Sequence, residues 1–164
     1  MKIVAIVSNW FWLLFIVVSF INAVIFQLRA KEQTRRKPEL ADGYRKIIRG
    51  FLTWANLPWM IMGVGIMIGG VPGIFAYFRP ADGNPYVAAF YGSLFLIWML
   101  GTYWIFVRNG AEMLVSHPGL FNRDFSSPAA VKLIWLLMVA GGIAVVGVFY
   151  SGCVSILSEF QFSK

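Results

Sequence analysis

Four long apolar stretches, at about residues 3–26, 51–78, 85–107 and 128–157, occupy most of the chain. A helix needs about 20 apolar residues to cross a hydrocarbon layer. Inside that layer each backbone N–H and C=O must be satisfied within the segment, which selects helices or closed barrels. The stretches are continuous rather than alternating, so helices are expected. The fold class is therefore an all-α membrane protein: one domain over residues 1–164, with four transmembrane helices in two helical hairpins. Composition agrees. Of the residues, 59% are hydrophobic and only 13% are charged, where a soluble domain carries about 25% charge. The apolar run after Met1-Lys2 is longer than the roughly 7–15 residues of a signal-peptide core, and it reads as a retained first helix.

Two boundaries carry explicit start signals. Asn84-Pro85 and Ser127-Pro128 each set a capping side chain before a proline at the first helical position, where the missing N–H costs nothing. The second stretch contains Pro58 and Pro72. Residues 51–57 are expected partly at the membrane interface, with an irregular turn near Gly69-Gly70-Val71-Pro72-Gly73.

Charge sets the orientation. The net charge of +7 is gathered between apolar stretches, which favours a membrane topology signal over nucleic-acid binding. The segment 27–50 carries Arg29, Lys31, Arg35, Arg36, Lys37, Arg45, Lys46 and Arg49, and the segment 108–127 carries Arg108 and Arg123, with Lys132 just beyond. Only Lys2, Arg79 and Lys164 fall on the other side. The positive-inside rule makes 27–50 and 108–127 cytoplasmic loops and puts both termini on the non-cytoplasmic side, in a membrane of the bacterial inner (plasma) type.

The spans carry almost no chemistry. Glu32, Glu39, Asp42, Asp82, Glu112, Asp124 and Glu159 all lie in loops or at span ends. Proton relays and ion-coupled transporters need ionisable groups at membrane depth, so those classes are disfavoured, whereas an uncharged pore is not. Cys153 is the single cysteine, which removes any intrachain disulfide. His117 is the single histidine, in a Ser116-His117-Pro118-Gly119 turn, so a bis-histidine haem or a His-rich metal site cannot form within one chain. No cofactor, metal or catalytic residue is expected. His117 and Asn56 are retained as the polar residues with some claim to function, and Asn22 and Asn56 are expected to hydrogen-bond neighbouring helices.

Packing and surface signals are stronger. In span four, Ala140, Ala144, Gly147, Ser151 and Ser155 share one helix face, and in span two Gly65, Gly69 and Gly73 recur every fourth residue. Small residues let helix backbones approach closely in lipid, so both stripes are expected helix-packing interfaces, within the chain or with another. Arg35, Arg36, Lys37, Arg45, Lys46 and Arg49 form a juxtamembrane basic cluster suited to anionic lipid or a partner. From Asp42-Gly43 an amphipathic turn is expected in which Tyr44, Ile47, Ile48 and Phe51 face lipid.

In size, charge and helix count the chain is similar to the trimeric glutathione-dependent enzymes of the membrane-associated eicosanoid and glutathione metabolism family. Their signature sets Arg, Asn and Glu at the start of span two to hold glutathione. Arg45, Arg49 and Asn56 are present here, but no glutamate occurs between Asp42 and Asp82, so the similarity is one of size and charge only. Three functions follow in order of expectation. The first is a non-catalytic accessory or assembly subunit of a larger membrane complex. The second is a homo-oligomeric channel or membrane-perturbing effector, and the third a glutathione- or lipid-handling enzyme. The expected partners are membrane lipids and other membrane subunits or copies of the chain.

Overall fold

A computed structural model describes residues 2–120 and 124–151, and among these the chain is all helical. Four helices are long and apolar enough to cross a membrane. They are α1 (Lys2–Arg36), α2 (Ala41–Met67), α3 (Pro85–Val107) and α5 (Pro128–Tyr150), with a short α4 (Gly110–Ser116) between the last two.

The expected loop at 27–50 is not a loop. Helix α1 runs on to Arg36 and α2 begins at Ala41, leaving Lys37 and a 3-10 turn, Pro38–Leu40. The charged residues here are good helix formers, and Glu32 pairs with Arg36 one turn away at 3.1 Å. The chain breaks only where proline forces it. The residue before a proline is driven out of the α region, and Lys37 sits at φ −137° and ψ 81°.

The second span also ends earlier than the expected residue 78. Helix α2 passes through Pro58 and stops at Met67. Gly70 takes φ +66°, and the Val71 N–H reaches back to the Gly65 carbonyl at 3.0 Å, a left-handed helix ending. Pro72 then prevents resumption, and Gly73 at φ +109° leads into the 3-10 turn Ile74–Phe78. This segment is packed rather than loose. Val71, Ile74 and Tyr77 join Met62, Val87, Phe90, Tyr91 and Val146 in one core cluster. Three polar contacts hold it: Tyr77 donates to the Met62 carbonyl (3.2 Å), Tyr91 to the Tyr77 carbonyl (2.7 Å), and the Ile74 N–H to Ser8 Oγ (3.2 Å).

The two start signals work as expected. Asn84 accepts from the Tyr86 N–H at 2.9 Å, and Ser127 Oγ accepts from the Ala130 N–H at 3.2 Å. Between α1 and α2, Phe15 stacks on Trp59 and Phe26 meets Phe51 edge-on, so the two helices pass in opposite directions. Helices α3 and α5 interlock through glycine and tryptophan: a Cβ at Gly101 would collide with Trp135, and one at Gly142 with Trp98. Much of the remaining surface is apolar, with Trp10, Leu14, Phe20 and Leu28 exposed on α1 and Leu133, Leu137, Ile143 and Val148 exposed on α5. In water such a surface would be a liability; it suits the apolar interior of a membrane.

Candidate functional site

The two basic segments meet at one end of the molecule. Residues 117–120 dock onto α1 and α2, and each contact has a sequence origin. Gly43 leaves a space that the His117 ring fills, since a Cβ there would fall inside the imidazole. His117 is buried, with Nδ1 2.7 Å from the Met113 carbonyl and 3.0 Å from Ser116 Oγ. Its ring meets Tyr44 edge-on, with centroids 4.8 Å apart. Tyr44 donates to the Pro118 carbonyl at 2.7 Å, and Arg29 Nη1 to the Leu120 carbonyl at 3.0 Å. Gly119, at φ +81°, lies against Gln33 and donates its N–H to Asp124 at 2.6 Å. His117 is thus held as a packing and turn residue, with its Nδ1 placed between the Met113 carbonyl and the Ser116 hydroxyl.

Tyr44 and Ile48 overturn the expected lipid-facing turn, for both are buried, at 2% and 6% exposure, in a cluster with Ala23, Ala30 and Leu120. The i, i+4 spacing of Tyr44, Ile48 and Leu52 was the available signal. It reads as a packing face once α2 is extended back to Ala41, because α1 then runs alongside it. Arg29, which ties the second segment to the first, carried no sequence signal beyond its charge.

On the α1–α2 surface next to Tyr44 lies a groove of about 560 Å³. Of the six basic residues singled out by sequence, Arg45 and Arg49 line it, joined by Lys31. Arg35, Arg36 and Lys37 sit at the end of α1 and Lys46 on α2, all exposed and outside the groove. A second hollow, about 330 Å³, is lined almost wholly by apolar side chains of α1, α2, α3 and α5, including Phe11, Trp59, Tyr91, Trp98 and Phe149.

The small-residue stripes divide. Cβ atoms at Gly65 and Gly69 would strike Tyr86, and one at Gly73 would strike Ser8, so these glycines admit side chains of the same chain. Ala140, Ala144, Gly147 and Ser151 are exposed, and nothing lies within 4 Å of a Cβ at Gly147. Ser155 and Cys153 fall outside the described residues.

The two amides do not bridge helices through their donors. Asn22 Nδ2 donates to Val18 and Asn56 Nδ2 to Leu52, each four residues back on its own helix. Asn56 is 5% exposed, and its Oδ1 has no hydrogen-bond partner among the described residues. On the α4–α5 side, Lys132 reaches Glu112 at 3.2 Å. Backbone hydrogen bonding at Glu112 and the Lys132 ammonium hold that carboxyl below its usual value. Among the described residues no group of His, Cys, Asp and Glu is placed to hold a metal ion.

The chain matches no known protein family, no curated protein and no solved structure.

Proposed function

We propose that the chain is a non-catalytic subunit of a larger membrane assembly, built as two helical hairpins with both termini on the non-cytoplasmic side of a plasma-type membrane. The observation that carries this reading is the outer face of α5. Within the chain α5 buries only Val131 and Val146, while Ala140, Ala144, Gly147 and Ser151 line up on its exposed side. Lipid tails gain nothing from small side chains, whereas a neighbouring helix can approach them closely. The lack of ionisable side chains at membrane depth supports a packing role over transport or catalysis.

Purification in a mild detergent tests this. The expected product is an assembly well above the 18.5 kDa chain, with other polypeptides in fixed ratio. Gly147→Leu, which puts a bulky side chain on the stripe, is expected to release the chain, whereas Ile143→Leu is expected to leave it bound. A ring made only of this chain, or a lone monomer, would overturn the proposal.

A further inference from the structure

We propose that the groove between α1 and α2 is a binding site for one anionic phospholipid, with its phosphate on Lys31, Arg45 and Arg49 and the start of an acyl chain on Ala30, Ile48 and Leu52. The site uses none of the α5 stripe, so it and the subunit reading fail separately.

The order of residues along the two helices supplies the amphipathic shape. On α2, Arg45 and Arg49 are one turn apart on one face, and the same face continues into Ile48 and Leu52. On α1, Lys31 is followed toward the membrane by Ala30 and Gln27. Because the helices run in opposite directions, Lys31 comes level with Arg45, Arg49 lies one turn further in beside Ile48, and Leu52 lies beyond both. The lined stretch of α2, Ala41 to Thr53, is about 18 Å long at 1.5 Å per residue. That is long enough to hold a headgroup and the upper part of a chain.

Charge decides the occupant. Lys31, Arg45 and Arg49 are exposed, and no carboxylate lines the groove. Asp42 reaches Arg45 at 3.5 Å, but side chains that are 81% and 77% exposed make a weak pair, which a phosphate can replace. The two hydroxyls are already engaged: Thr34 Oγ1 donates to the Lys31 carbonyl at 3.2 Å and Thr53 Oγ1 to the Arg49 carbonyl at 2.9 Å. The polar side chains left for a ligand are therefore the three cations and, further in, the Gln27 amide. The buried Ile48 and Tyr44 beneath them are fixed by helix packing, so the floor is built before any ligand arrives. A soluble anion would use the rim and leave the apolar floor uncovered. A phospholipid covers both.

Native mass spectrometry of the full chain in detergent provides the test, with dioleoyl phosphatidylglycerol, dioleoyl phosphatidylcholine and glycerol 3-phosphate as probes. Phosphatidylglycerol is expected to be retained at least about tenfold more tightly than phosphatidylcholine, and glycerol 3-phosphate not at all. Arg45→Gln with Arg49→Gln is expected to weaken phosphatidylglycerol binding about thirtyfold, from a loss of about 1 kcal/mol per basic residue. Arg35→Gln with Lys37→Gln removes the same charge outside the groove and is expected to cost less than about threefold. Ile48→Trp fills the floor with the cations intact and is expected to reduce retention as well; should it fail to fold, the two exposed double variants still decide. Equal losses in the two double variants would overturn the site in favour of diffuse attraction. Retention of glycerol 3-phosphate as tight as that of the lipid would overturn it in favour of a soluble anion.

Discussion

Asn56 shows how a single residue can test what surrounds this chain. Its amide donor is satisfied by the Leu52 carbonyl at 2.7 Å, while its acceptor is buried without a partner. A buried unmet acceptor costs about 1–3 kcal/mol. Replacing the amide by an apolar group of similar shape removes that cost. Asn56→Leu is therefore expected to raise the thermal unfolding midpoint of the purified chain in detergent. A clear fall in the midpoint would show that Oδ1 has a partner in the native protein, which this fold does not supply. Residue identity was a weaker guide than helix register. The sequence marks Asn56 and His117 as polar and isolated, but nothing in it shows that His117 packs into the space at Gly43, since the two are far apart in the chain. Tyr44 shows a related dependence: which way its face points is set by where α2 begins.

At the scale of elements, the legible features were those with local causes. The starts of α3 and α5 follow from a capping side chain and a proline in adjacent positions, and both are observed. The irregular stretch after α2 follows from Gly70, Pro72 and Gly73, although its burial against Val87 and Phe90 does not. The α1–α2 turn was not legible, because a run of bases looks like a loop when read by hydropathy and like a helix when read by propensity. Helix pairing itself depends on contacts between distant segments, and the α3–α5 pair gives a signed test. Gly101 and Gly142 face Trp135 and Trp98, whereas Gly92 and Gly141 have nothing within 4 Å of a Cβ. Trp135 cannot easily swing away, since its Nε1 donates to Thr102 Oγ1 at 2.9 Å. Gly101→Ala and Gly142→Ala are expected to destabilise by about 1–3 kcal/mol each through overpacking. Gly92→Ala and Gly141→Ala are expected to be neutral or to stabilise by up to about 1 kcal/mol through helix propensity. Chemical denaturation of the four variants checks the difference in sign.

For the molecule as a whole, the charge pattern and the contacts point to the same asymmetry. Tyr44 bonds Pro118 and Arg29 bonds Leu120, so the two basic segments of the sequence form one end. Arg79 and the turn at Gly83 follow the other end of α2. Among the described residues, ten lysines and arginines belong to the first end and to the segments joined to it. Under the positive-inside rule a bias of this size is expected to set orientation, with the basic end in the cytoplasm. Cysteine mapping reads the result directly. In a Cys153→Ser background, Gly83→Cys is expected to react with a membrane-impermeant maleimide on intact cells, and Lys37→Cys only after the membrane is opened. The reverse pattern would place the basic end outside. The same experiment bears on the lipid groove, since Lys31, Arg45 and Arg49 must then meet the leaflet in which anionic headgroups attract cytoplasmic bases. With Lys37 outside, that site would lose its phosphate source while the α5 stripe kept its neighbours.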